Sequence, residues 1–403
     1  PALLRAYGAP AEDDEETASI FFPPLSTTEN DVRVVRSYFK MALQYLSRHI
    51  SSKGFLRRLV AKQKRGNVEQ HIDDSFMNSC QDLITLMRKL SMCKKSDNET
   101  QGEGSTWDAM SADVYAVLAK INAALTTPSF LAVITALLRH DALLIRRNAL
   151  SLLAEKIEDE QDSFDESEEL AFLDMLEDIP QYLQEKSKFE VQDIQISIYA
   201  LDILVGAFGE KHPQSFKPFS ALLGNMLGTK VCKRTAGLRS GVQLSLAKMC
   251  TVFGVSMLPI LTPLMNSLLD SIEPFTGLSG PEIAGLTDAR RDTLEISLKA
   301  LNKVVQTLPK FISPYISKTL SFLLTRQESG VEVMAGLSEC CGELVDSIAT
   351  SIEPRILLPE FYNVFPLLKL PVNECRFFDM LALHVNTMSK PQIKQFHLQV
   401  FKL

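Results

Sequence analysis

Residues 292–308 read Asp292-Thr293-Leu294-Glu295-Ile296-Ser297-Leu298-Lys299-Ala300-Leu301-Asn302-Lys303-Val304-Val305-Gln306-Thr307-Leu308. The apolar positions Leu294, Leu298, Leu301, Val305 and Leu308 advance by four, three, four and three. That spacing predicts a helix with one buried stripe, because residues three and four apart share a helix face. A break follows at Pro309 and Pro314, after which Ile316, Leu320 and Leu323 repeat the spacing. The reading is therefore two helices joined by a short turn. Such a pair cannot cover its own apolar face, so it must stack on others like it.

Working outward, segments centred on a proline recur. They are Thr127-Pro128-Ser129-Phe130, Phe216-Lys217-Pro218-Phe219, Leu261-Thr262-Pro263-Leu264, Ile312-Ser313-Pro314-Tyr315, Ile352-Glu353-Pro354-Arg355 and Ser389-Lys390-Pro391-Gln392. Each precedes an amphipathic run and is expected to hold its proline in the first helical turn. There the fixed φ fits, and the missing N–H would have had no partner anyway. From Pro218 to Pro391 there are four intervals averaging about 43 residues, inside the ~40–47 expected for HEAT or armadillo helix pairs. The expected fold is all-α, an α-solenoid of stacked antiparallel helix pairs. A compact helical bundle is the alternative that the same periodicity allows.

Composition agrees with a globular helical chain. The 403 residues are 46% hydrophobic and 23% charged, which excludes wholesale disorder. One Trp and 18 Gly lean away from an all-β sandwich, which needs turn chemistry at short intervals. The net charge of −7 argues against a uniform coat of nucleic acid but leaves local patches open. Seven cysteines (Cys80, Cys93, Cys232, Cys250, Cys340, Cys341 and Cys375) form no C-x-x-C, and most sit among apolar residues. They read as reduced thiols in a nuclear or cytosolic setting. The chain starts at Pro1 and stops within an apolar-periodic run, as expected of a piece of something longer. Met249–Leu269 carries no charge, yet Gly254, Pro259, Pro263 and Asn266 make it a helix–turn–helix rather than a membrane span.

Three regions follow. Residues 1–30, with Glu12-Asp13-Asp14-Glu15-Glu16 and Phe22-Pro23-Pro24, are expected to be an acidic extended tail. Residues 31–129 are expected to be helical, with a basic segment and a polar loop at 94–106. Residues 130–403 are expected to form the solenoid, interrupted by loops at 158–169 and 274–287, with a helix around 171–185. Residues 153–190 hold fourteen Asp/Glu against three Lys, which suits an exposed segment.

No constellation for catalysis is found. His49, His71, His140, His212, His384 and His397 are scattered, without H-E-x-x-H or zinc spacing. Gly224–Lys230 has one spacer too few for a phosphate loop and follows a helix, so it reads as a helix end and turn. Cys340-Cys341 lies within a predicted helix, where adjacent side chains diverge. The run 158–169 lacks the spacing of a calcium loop. No cofactor and no metal are expected, and the chain is expected not to be an enzyme.

Binding is where the sequence says more. Residues 31–65 carry ten Lys/Arg against one Asp, with Tyr38, Phe39, Tyr45 and Phe55 interleaved. Within them Lys53, Arg57, Arg58, Lys62, Lys64 and Arg65 form an acid-free cluster. Cations with aromatics bridge phosphates and stack on unpaired bases. A solvated face, or pairing with the acidic run at 158–169, is the alternative. A second cluster, Lys230, Lys233, Arg234 and Arg239, is placed at an inter-repeat turn, as a contact for RNA or another acidic partner.

Three stretches carry a resemblance. Leu137-Leu138-Arg139-His140-Asp141-Ala142-Leu143-Leu144-Ile145-Arg146-Arg147-Asn148-Ala149-Leu150 follows the HEAT turn pattern, with a basic pair opening the second helix. Ala300–Tyr315 and Ile194–Pro218 are similar to text in the C-terminal third of one family. That family is the HEAT repeat-containing protein one family, also called U-three snoRNA-associated protein ten. It is the large HEAT-repeat scaffold of the small-subunit processome, and the match covers about residues 130–403. The resemblance implies a C-terminal-half segment of a nucleolar, non-catalytic scaffold. Its implied partners are other processome proteins, pre-ribosomal RNA and the U-three snoRNP, in a hetero-oligomeric assembly away from membranes. Its implied roles are pre-rRNA processing and rRNA transcription. An importin-type nuclear transport receptor, binding cargo and a small GTPase, is the competing expectation.

Overall fold

The computed structural model describes residues 104–122, 125–139, 143–160, 163–183, 190–276, 287–325, 335–368 and 370–400, with Met41, Gln44, Tyr45, Arg48, Cys80 and Leu83 as isolated positions. No strand occurs among them. The chain divides into two compact units, Pro1–Met175 and Leu176–Leu403. The acidic tail at 1–30 and most of the predicted loop at 274–287 lie outside the described residues.

In the first unit, α1 (Gly104–Asn122), α2 (Thr127–Leu138), α3 (Leu143–Glu160) and α4 (Glu166–Asp174) pack around Phe130 and Phe172. The two rings sit 6.5 Å apart, centroid to centroid, and Phe164 closes on Phe172 at 5.0 Å. Thr127 donates a 2.6 Å hydrogen bond to Glu168, which fastens the start of α2 to α4. The polar segment expected as a loop to residue 106 already turns helical at Gly104.

The loop expected at 158–169 is a correction. Helix α3 continues through Glu160, and α4 starts at Glu166. Asp165 accepts from the Glu168 N–H while Glu168 accepts from the Asp165 N–H, a reciprocal cap that fixes the helix start. Acidic Glu166, Glu168 and Glu169 in the first turn favour the positive end of the helix. Ser163–Asp165 do lie outside any helix, but the acids that follow them mark a helix entrance. The single helix expected at 171–185 is divided as well, into α4, a 3-10 turn at Met175–Asp178 and α5 (Ile179–Leu183). Pro180 supplies no N–H to continue the earlier helix, so it opens the next.

The second unit is an α-solenoid of hairpins. After α5, its described helices are α6 (Val191–Phe208), α7 (Pro213–Gly228), α8 (Lys230–Arg234), α9 (Ala236–Phe253), α10 (Leu258–Ile272), α11 (Asp288–Thr307), α12 (Ser313–Thr325), α13 (Ala335–Ser351), α14 (Pro354–Val364), α15 (Pro371–Thr387) and α16 (Lys390–Val400). Helices α6, α9, α11, α13 and α15 stack in order as one layer. Helices α7, α10, α12, α14 and α16 stack as the other. Thus each hairpin covers the apolar face that its predecessor leaves open.

The predicted stripe is the seam of this stack. Leu294, Leu298, Leu301, Val305 and Leu308 are all buried, as are Ile316, Leu320 and Leu323 opposite them. At about 25 cal/mol per Å² of apolar surface, burial of this kind is the main force holding one hairpin on the next. One polar knot sits inside it. Gln243 Nε2 donates to the Ser267 carbonyl (2.8 Å) and to Ser271 Oγ (2.9 Å), and Ser297 Oγ donates to Gln243 Oε1 (2.9 Å). This ties α9, α10 and α11 in one register.

Prolines 128, 314, 354 and 391 do lie in first turns, but 218 and 263 do not. Helix α7 begins at Pro213 and α10 just before Pro259, so Pro218 and Pro263 fall inside. Both occupy the sixth helical position, as Pro359 does in α14. A proline there leaves the carbonyl four residues earlier without its donor and bends the helix. The uncharged stretch at 249–269 is split as expected. Gly254, at φ +54°, ends α9, and a 3-10 turn leads into α10. By length and apolarity alone, 191–208 and 236–275 would suffice for a membrane span, but here they supply core residues of the stack.

Candidate functional site

The surface best defined by the sequence clusters is built on α8. Helix α7 ends at Gly228, and Thr229 turns into extended backbone, as expected for a helix end rather than a phosphate loop. Thr229 Oγ1 accepts from the Cys232 N–H (3.3 Å) and donates to the Met226 carbonyl (2.8 Å). One hydroxyl thus closes α7 and opens α8. Cys232 is fully buried and anchors the short helix, which leaves Lys230, Lys233 and Arg234 pointing to solvent.

Arg239, in the first turn of α9, completes the cluster. It is half-buried, and its Nε is shielded from solvent with no acceptor. A donor withdrawn from water without a partner costs about 1–3 kcal/mol. Burial pushes the Cys232 thiol up to about 11, against the opposing pull of Arg239 and Lys233. Those two cations therefore flank the anchor, and the thiol stays protonated and inert at neutral pH.

The structure brings Lys230, Lys233, Arg234 and Arg239 together at the turn between hairpins, where the sequence placed them. The other cluster, Lys53, Arg57, Arg58, Lys62, Lys64 and Arg65, lies outside the described residues. Arg146 and Arg147 are the fourth and fifth residues of α3, near its start.

Other groups singled out from the sequence turn out to be packing. Cys340 and Cys341 are both buried in α13, and burial raises the Cys340 thiol. Cys80 and Cys250 are buried too, with thiols pushed up to about 12, whereas Cys375 is exposed. His384 is buried between α13 and α15. Its Nδ1–H donates to the Ala349 carbonyl (2.7 Å), and its ring meets Phe361 edge-on. Among the described residues no three His, Cys, Asp or Glu side chains converge as a metal set.

One feature of this surface was not read from the sequence, although a signal for it exists. From Lys211 to Leu269 there is no Asp or Glu at all, while seven Lys/Arg occur (Lys211, Lys217, Lys230, Lys233, Arg234, Arg239, Lys248). The cation cluster holds four of these, whereas the acid-free stretch spans nearly the whole hairpin.

No family model matches the chain. Curated proteins do. It is 26% identical over 399 residues to HEAT repeat-containing protein 1 of Homo sapiens, covering 97% of this chain and 18% of that protein. The Danio rerio protein of the same name is 22% identical, covering 98% of this chain and 18% of its own length. The Dictyostelium discoideum homolog is 20% identical, with 97% and 18% covered. Among solved structures, the karyopherin Kap121p, crystallised bound to the SUMO protease Ulp1p, aligns at a TM-score of 0.45 and 12% identity, over 99% of this chain and 45% of that one. The chain is thus similar over nearly all its residues to HEAT repeat-containing protein 1, and it spans about a fifth of the length of these relatives. The similarity extends past residues 130–403 into the N-terminal region.

Proposed function

We propose that this HEAT-repeat protein is a non-catalytic scaffold of ribosome biogenesis, working in the nucleolus as part of the small-subunit processome. Its partners are other processome proteins, pre-ribosomal RNA and the U-three snoRNP, and it supports pre-rRNA processing and rRNA transcription. The observation that carries the reading is similarity to HEAT repeat-containing protein 1 along 97% of the chain. The fold supports it, since stacked hairpins offer long surfaces to several partners at once. An acidic inner surface would suit the rival reading as a transport receptor, but in the acidic run at 158–169 Asp165 and Glu168 are engaged in capping α4.

Affinity purification of the full-length protein from nuclear extract, with mass spectrometry and sequencing of bound RNA, tests the proposal. It predicts processome proteins with U-three snoRNA and pre-rRNA. Recovery of import cargoes and a small GTPase, without those RNAs, would overturn it.

A further inference from the structure

We infer that the hairpin of α7 to α10, with α8 at its edge, is a docking surface for an RNA phosphodiester backbone. In a chain of net charge −7, residues 211–269 carry seven Lys/Arg and no carboxylate, so the rest of the chain holds the entire negative excess. The structure shows what this does to the cations. Elsewhere some cations find an acid on their own helix or turn (Lys156 with Glu160, Lys299 with Glu295, Arg355 with Glu353), whereas Lys303, Lys310 and Lys318 pair with no described carboxylate but stand well apart in sequence. Among the described residues, what sets this stretch apart is the close run of cations from Lys230 to Arg239 with no carboxylate between them. Inside the acid-free stretch Lys248 pairs with Asp202, and it must reach across to α6 for it. Lys217, Lys230, Lys233, Arg234 and Arg239 make no ion pair with any described carboxylate.

The four cations of α8 and the start of α9 are a standing electrostatic cost, because neighbouring like charges repel and no described carboxylate pairs with them. Three of them are held outward on a helix whose orientation is fixed by buried Cys232 and by the Thr229 cap. The platform is therefore rigid, and its charges are presented rather than trailing on a loop.

The chemistry of the partner follows from what else the surface lacks. A protein-docking site needs a desolvated apolar centre. From α7 to α10 the large exposed apolar side chains are Val231, set between the cations of α8, and Val255, away from them in the turn before α10. Unpaired cations without an apolar anchor suit a polymer of evenly spaced charge, bound through release of its counterions. The surface is thus expected to bind without regard to base sequence. This inference stands apart from the ribosome-assembly proposal, since the purified protein alone can pass or fail it.

The test is fluorescence anisotropy of a labelled oligouridine with the full-length protein, in a series from about 50 to about 300 mM KCl. The triple variant Lys230→Glu, Lys233→Glu, Arg234→Glu is compared with Lys303→Glu, Lys310→Glu, Lys318→Glu, which alters the net charge equally on exposed sites outside the hairpin. Circular dichroism melting confirms that both fold, and Lys230→Gln, Lys233→Gln, Arg234→Gln substitutes if the reversal does not. Loss of three phosphate contacts flattens the slope of log affinity against log salt by about 2 and weakens binding at least about tenfold at low salt. The control is expected to keep the parent slope. The inference fails if the parent does not bind, if the triple variant keeps its slope, or if the control loses as much. It fails equally if polyglutamate of matched charge displaces the RNA as well as unlabelled RNA does, because the partner is then an acidic protein.

Discussion

A few side chains inside the stack do work that their neighbours in sequence do not announce. His384 is the clearest, because its role can be titrated. Burial lowers its pKa below the ordinary 6.5, with the hydrogen bond to the Ala349 carbonyl pulling the other way. Its Nε2 is buried without a partner, so a second proton there has nowhere to bond. The unfolded chain takes up that proton more readily than the folded one. The stabilisation is therefore complete above the ordinary histidine range and drains away as pH falls through it. Thermal melting is expected to drop in midpoint between about pH 7 and pH 5. His384→Leu should melt lower than the parent at neutral pH but lose less over the same interval, and an equal slope would contradict the assignment. Such roles are hard to read from sequence. His384 is one of six scattered histidines, and Gln243 looks like an ordinary polar position on a helix. Only the stacking of α9, α10 and α11 reveals that its amide has three hydroxyl-bearing residues to satisfy.

At the scale of helices, periodicity was the readable part and end points were not. The stripe of α11 was legible to the residue because the 3.6-residue period leaves little choice for Leu294, Leu298 and Leu301. Prolines misled at α7 and α10 because a proline suits both a first turn and an internal bend, and the starts at Pro213 and Leu258 each lie only five residues upstream. The acidic run misled for a related reason, since carboxylates suit both solvent and a helix entrance. Gly254 is where one element is most exposed to a single change. At φ +54° and ψ −127° it adopts a conformation that L side chains avoid, although a Cβ there would meet nothing within 4 Å. Gly254→Ala should therefore cost about 1–3 kcal/mol through the backbone alone. Urea unfolding is the check, and an unchanged midpoint would show that the turn between α9 and α10 relaxes freely.

For the second unit as a whole, the α-solenoid was legible because repeats of helix pairs at about 43 residues leave few other ways to bury every stripe. The candidate surface was half legible. Its cations were visible as a cluster, but their lack of partners depends on which helices stack beside α8. What the account rests on is that hairpins in residues 190–400 hold each other in place through nearest neighbours rather than through one common core. Leu298, fully buried in the α11 seam, is the place to probe this. Leu298→Ala should cost about 2–5 kcal/mol. The decisive measurement is amide hydrogen exchange of this variant against the parent, helix by helix. Protection is expected to fall most in α11 and in its stacking neighbours α9 and α13, less in α6 and α15, and least at α16. A uniform loss from α6 to α16 would mean a single shared core and would contradict the stacked array.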